Sequence, residues 1–163
     1  MLLAAFLLSS FSDHSVTDLK DGFVRVKTPS YSVEIPKGWE VGQETSFGQR
    51  EFMTRDGKFT AMTAPGGGKQ GWERLYRTSL YFIKRGNPDL KETPYKISKT
   101  KQGYEAASFS MVDKKGFATE RFVILKAAND NILALSVKIP SQAQEKDLAK
   151  AFDRLVKSAT LVK

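Results

Sequence analysis

The stretch TAPGGGKQGWERL, residues 63–75, sets three glycines and a lysine just ahead of a helical pattern. Loops of that composition expose backbone N–H groups that cradle phosphates. A Walker A loop requires G-x-x-x-x-G-K-[ST]. Counting back from Gly68-Lys69, the first glycine position holds Thr63, and Gln70 stands where the magnesium-binding hydroxyl belongs. The pattern fails at two places. The stretch therefore reads as a passage from a hairpin to a helix, with glycine used where φ must be free, and Lys69 is assigned no phosphate.

Two other short patterns meet the same fate. Ser98-Lys99-Thr100-Lys101 matches S-x-x-K, the nucleophile motif of penicillin-recognising enzymes. There the serine opens a buried helix and has partner motifs; here it lies in a polar, lysine-rich strand pattern without them. Ser12-Asp13-His14 are consecutive, whereas a catalytic triad needs separately placed members. The acids Glu34, Glu40, Glu44, Glu51, Asp56 and Glu73 are scattered with no metal-ligand spacing. A carboxylate pair assembled in space, serving a hydrolase, stays open as an alternative. No catalytic, cofactor-binding or metal-ligating residue is assigned, and no cofactor is expected.

Composition narrows the chemistry further. Cysteine is absent from the 163 residues, which removes disulfides, thiolate metal sites and cysteine nucleophiles. The sole histidine, His14, lies beside the N-terminus, so imidazole acid–base chemistry is not expected of the mature domain. The formal charge is +8, which favours anionic partners but is also common in exported proteins that have none. Residues 72–103 hold eight Lys or Arg against three Asp or Glu, a local +5. Within them Arg74, Arg77, Tyr81, Lys84 and Arg85 share one helix face. They form the candidate surface for an anion or a partner, because Arg and aromatic residues are enriched where proteins recognise one another. The partner is expected to be another protein or an anionic surface. Nucleic acid is not expected.

The elements that would carry this face are legible from periodicity. FVRVK (23–27) and YSVEI (31–35) alternate as half-buried strands do, and Pro36 ends the second. QREFMT and KFTAMTA flank Arg55-Asp56-Gly57-Lys58, where Asp-Gly signals a hairpin turn with positive φ. In WERLYRTSLYFIKRG (72–86) the apolar face comprises Trp72, Leu75, Tyr76, Ser79, Leu80, Phe82 and Ile83, and Gly86 and Pro88 supply the stop. YKISKTKQ (95–102) reads as a charged edge strand. YEAASFSMVD (104–113), FATERFVILKAA (117–128) and ILALSVKIP (132–140) form a meander, with Leu133, Leu135, Val137 and Ile139 pointing into a core. Ser141 with Gln144 makes a capping box for a last helix. That helix buries Leu148, Phe152, Leu155, Val156 and Ala159 and wets Lys146, Lys150, Arg154 and Lys157. Trp39 and Trp72 read as core anchors. Runs of strands with helices packed on them make an α+β sandwich, mostly antiparallel.

YSVEIPKGWEV opening the domain, with ILALSVKIP…AFDRLVKSATL closing it, resembles the PsbP/Mog1-like family and the bacterial families of unknown function related to it. The resemblance extends over nearly the whole chain in the order of elements. It implies a six- or seven-stranded, mostly antiparallel sheet flanked by helices, an α/β/α sandwich. It also implies a non-catalytic binding or accessory protein, since members of the family assist photosystem II, bind a nuclear GTPase or chaperone secreted toxins. No catalytic set is shared across the family, so none transfers to this chain.

The N-terminus MLLAAFLLSSFSDHS contains an apolar run, Leu2–Leu8, too short to span a bilayer. Ser10 and Ser12 are the small residues three and one before a cut at Asp13. Residues 1–12 are read as a signal peptide and 13–163 as a single domain, soluble after export to the periplasm or the extracellular space. The expected function is a non-catalytic exported binding or accessory protein. The alternatives are an anionic-surface binder acting through the basic helix 72–86, or the hydrolase named above.

Overall fold

The computed structural model describes residues 13–54, 57–64 and 71–162. The hairpin tip, the glycine-rich loop with Lys69, and the leader lie outside the described residues, as does the side chain of Trp72.

The chain forms two antiparallel sheets and two helices. The small sheet has the order β1 (Ser15–Leu19), β2 (Phe23–Lys27), β3 (Tyr31–Pro36) and β12 (Thr160–Leu161). The large sheet runs β4 (Glu40–Val41), β5 (Gln49–Thr54), β6 (Gly57–Ala64), β11 (Ile132–Lys138), β10 (Ala118–Lys126) and β9 (Glu105–Val112). Its outer edge is shared by β7 (Lys91–Glu92) and β8 (Lys96–Lys99), both paired to β9. Helices α1 (Gly71–Gly86) and α2 (Gln142–Ser158) cover opposite faces of it.

Alternation along the central strands builds that layering. On β11, Leu133, Leu135 and Val137 enter the core under α2, while Ile132 and Ala134 enter the one under α1. On β10, Leu125 faces α2 and Ile124 faces α1. A strand with apolar residues on both faces must be covered twice, which fixes one helix to each side. The small sheet closes the α2 side, adding Val24, Val26, Tyr31, Val33 and Ile35 to the larger core. Leu148, Ala151, Phe152 and Leu155 supply the buried stripe of α2.

The α+β class, the two helices and the exposed edge strand β8 follow the sequence pattern. Six strands of the large sheet have four or more residues; β4 and β7 are two-residue additions. Four local expectations change. The strand β1 has no apolar alternation and four exposed residues out of five, so periodicity does not register it; only its ladder with β2 makes it a strand. Thr54 pairs with Gly57, so Gly57 begins β6 rather than occupying the turn. Its hydrogen side chain has another use, because a Cβ there would stand 2.5 Å from Leu148 of α2. Ser141 does not cap α2 with its side chain; its hydroxyl donates instead to Gln144 Oε1 at 2.8 Å. Arg154 is not a solvated residue but is engaged by Glu34 and Asp21.

Candidate functional site

Helix α1 lies across β10 and β11. Leu75, Tyr76, Leu80 and Ile83 hold it there, packed with Phe109, Met111, Ile124 and Ile132. At 100° per residue, Arg74, Tyr81 and Arg85 then fall within about 40° of one another on the outer pole. Arg77 and Lys84 lie together on one flank, from which Lys84 reaches Glu92 of β7. All five are exposed, so the structure brings the sequence-selected residues onto one open surface. Glu73 in the first turn and Lys84 and Arg85 in the last also suit the helix dipole.

Lys84 is partly committed, since its Nζ meets Glu92 Oε2 at 2.6 Å. Arg74, Arg77 and Arg85 meet no carboxylate within salt-bridge distance among the described residues. Phe82 corrects the sequence reading. Spacing groups it with the apolar face, yet it is 62% exposed, and Tyr81 beside it is 60% exposed. The two rings form an edge contact with centroids 5.4 Å apart. The sheet contact is narrower than the apolar stripe, so a residue at its margin is left in water.

The surface continues past the helix. Tyr95 packs edge-on against Tyr76 at 5.4 Å. Ile97 pairs with Ala107 and Lys99 with Glu105, and paired residues share a face. Both therefore point to the α1 side, where Ile97 is exposed. Sequence reading missed this aromatic and aliphatic extension because Tyr95 and Ile97 look like ordinary edge-strand alternation. Ser98 and Lys99 are exposed on β8, which is no setting for an activated serine.

A second polar constellation lies at the opposite side of the fold. Arg50 on β5 is fully buried. Its Nη1 donates to the Gly42 carbonyl at 2.5 Å and its Nη2 to Asp13 Oδ2 at 2.5 Å, with Glu44 Oε2 3.6 Å from Nη2. His14, expected to play no part, has its Nδ1 2.9 Å from Asp13 Oδ1 and 3.3 Å from Arg50 Nη1. Hydrogen bonds from Arg50 and then His14 hold the Asp13 carboxyl far below the usual carboxylate range. Burial pushes the neighbouring Tyr31 hydroxyl well up, so it stays protonated. Sequence gave no warning of this cluster, since Arg50 sits in an ordinary alternating strand.

Among the described residues, two pairs of acids meet in space, and each does so on an arginine: Asp13 with Glu44 at Arg50, and Asp21 with Glu34 at Arg154. Glu120 is raised by burial, partly offset by Lys138, Ser136 and Lys58; those neighbours supply no second carboxylate for paired acid–base work. No group of three His, Cys, Asp or Glu among the described residues is placed to hold a metal ion. Two clefts of about 460 and 500 Å³ run along α2, the first beside Arg121 and Asp153 and the second beside Lys150 and Arg154. Neither includes an α1 residue, and a smaller cavity of about 120 Å³ meets α1 at Ser79 and not at Arg74, Arg77, Tyr81, Lys84 or Arg85, so the candidate residues lie on a face outside these cavities. No helix among the described residues is long and apolar enough to cross a membrane.

No family model matches the chain, and no curated protein matches it in sequence. In structure it is similar to cyanobacterial PsbP (CyanoP) from Synechocystis sp. PCC 6803, solved in solution, with a TM-score of 0.58 and 12% identity. The match covers 98% of this chain and 99% of that one. The fold of the described residues is therefore PsbP-like, as the strand–Pro–turn–Trp opening and the order of elements imply.

Proposed function

We propose that this PsbP-like fold serves as a non-catalytic, exported accessory protein that docks on an acidic patch of another protein through the α1 face. One observation carries the reading: among the described residues, Arg74, Arg77 and Arg85 have no carboxylate partner, and they lie beside two exposed aromatic rings. A surface built only for solubility has no use for Tyr81 and Phe82 in water, where burial of each ring on a partner gains roughly 1.5–3 kcal/mol. Arginine and tyrosine are also the residues that dominate interface hot spots. Tyr95 and Ile97 widen the apolar centre, and Lys99 extends the basic rim.

Docking of this kind is salt-sensitive, because charges at a solvated rim are screened beyond about 8 Å at physiological ionic strength. A photo-crosslinking residue at position 81 captures one acidic protein from the native envelope, and the same residue at the exposed Phe47 does not. Reversing Arg74, Arg77 and Arg85 to Glu abolishes that capture and leaves the melting temperature within a few degrees, as expected for surface changes of under about 0.5 kcal/mol each. Equal capture by the reversed protein overturns the assignment of the face. Binding of the wild type to anionic vesicles, with no protein captured, replaces a protein partner by a lipid surface.

Export is tested separately. N-terminal sequencing of the native protein is expected to read Asp13-His14-Ser15, the start left by a cut after the small residue Ser12. Recovery of intact Met1–Leu8 from a soluble cytoplasmic fraction overturns it.

A further inference from the structure

The buried arginine carries an inference independent of the α1 face. Arg50 is fully buried, yet its donors are incompletely used. Asp13 engages it through one oxygen on Nη2, and Asp13 itself is 40% exposed. Among the described residues, Arg50 Nε and the Tyr31 hydroxyl make no well-formed hydrogen bond, although Tyr31 lies close enough to Arg50 for each to affect the other's titration. A guanidinium binds a carboxylate best side-on, through two parallel N–H groups. Asp13 takes one of them and leaves Nε bare, so it is a partial occupant of a site with donors to spare.

The strand that delivers Asp13 is weakly attached. Ser15, Val16, Thr17 and Asp18 are all exposed, and only Leu19 is half-buried. The strand contributes no residue to the core. Beyond its ladder with β2, its anchors gather at its two ends: Asp13 on Arg50 and on the Glu44 N–H at 3.2 Å, with His14 Nδ1 3.3 Å from Arg50 Nη1, and an ion pair between Asp18 and Lys37. Removing it would uncover one edge of β2 and open the approach to Arg50. Those two features together read an extended peptide: main-chain pairing along a strand edge, with a side-chain group caught at one end.

We infer that Arg50, Tyr31 and the edge of β2 form a binding site for an extended acidic peptide segment, and that residues 13–19 are its built-in, displaceable occupant. A partner segment adds to β2 in place of β1 and sets a carboxylate on Arg50, reaching Nε and the Tyr31 hydroxyl as well as Nη2. The tethered strand competes at an effective concentration in the millimolar range, so the site is closed until a better-fitting segment arrives or Asp13 is lost.

The test uses the full chain and two readouts. Amide hydrogen exchange in the wild type and in Asp13→Asn comes first. In the variant the β1–β2 ladder is expected to exchange at least tenfold faster, while the amides of β10 and β11 keep their protection. The second readout is binding of a fluorescent peptide with the sequence of residues 13–19. It is expected to bind Asp13→Asn at least tenfold more tightly than the wild type, because the internal competitor is weakened, and to lose that gain when its own first residue is Asn. Three results overturn the inference. They are β1 protection unchanged by Asp13→Asn, β1 exchange only together with the central strands, and peptide binding that ignores the carboxylate.

Discussion

Phe59→Ala lowers the unfolding free energy by about 3–5 kcal/mol, the range for emptying a buried aromatic site. Phe59 is on β6 and has no solvent exposure. Its ring lies 4.3 Å from Trp39 and 5.9 Å from Phe152 of α2, so it joins the large sheet, the turn after β3 and the helix. None of those groups can collapse into the space without moving a backbone. For a domain of this size the loss corresponds to a fall in Tm on the order of 10 °C. Trp39 is half-buried and stands at the rim of the same core. Trp39→Ala therefore costs less, about 2–3 kcal/mol, because part of the ring already meets water. The two rings couple by about 0.5–1.5 kcal/mol in a double-mutant cycle. Strictly additive losses would show that the rings do not support each other, and a Phe59→Ala loss under about 1 kcal/mol, a surface-like value, would place the aromatic centre elsewhere.

The sequence disclosed what periodicity can disclose. Leu133, Leu135, Val137 and Ile139 were legible as core because alternation is a local signal, and all four are buried. Arg74, Arg77, Tyr81, Lys84 and Arg85 were legible as one face because helical spacing alone groups them. Phe82 was not, since the width of the contact between α1 and the sheet depends on where β10 and β11 lie beneath it. Gly57 was misread for the same kind of reason: its need for a hydrogen side chain comes from Leu148, 91 residues away in the chain. The Arg50 cluster was the least visible. It is made by residues 13, 14, 31, 42, 44 and 50 coming together from separate parts of the chain, and the alternation that holds Tyr31 and Arg50 says nothing of their meeting. The partly wet basic face of α2 hid Arg154 among lysines that do face water.

Glu34→Gln lowers stability at pH 7 by about 2–3 kcal/mol, the scale of hydrogen bonds to charged groups, and flattens the acid limb of the stability curve. Glu34 lies on β3 beside α2. Its backbone N–H donates to Ser158 Oγ at 2.8 Å, so the helix end covers the strand edge that β12 leaves open beyond Ser32. Its carboxylate takes Arg25 Nη2 at 2.7 Å on one oxygen, and Arg154 Nε and Nη2 at 2.9 and 2.8 Å on the other. Arg154 also meets Asp21 at 2.7 Å and stacks 3.9 Å over the Phe23 ring. Burial would raise the Glu34 carboxyl, but the bonds from Arg25 and Arg154 outweigh it and hold the group below its ordinary 4.5. A carboxyl lowered in the fold stabilises it above the ordinary value and loses that contribution as the pH falls through the folded one. The glutamine keeps one acceptor oxygen but turns an N–H donor toward the other guanidinium, and it carries no charge, so the variant lacks the ionised contribution at any pH. Wild type and variant therefore differ most at pH 6–8 and converge below pH 4. The limb does not become flat, because Asp13 and Asp21 are lowered as well and remain in the variant. Urea unfolding from pH 7 down to pH 2.5 reads this directly. A gap that stays constant over that range would assign the loss to packing against α2 and not to the charge.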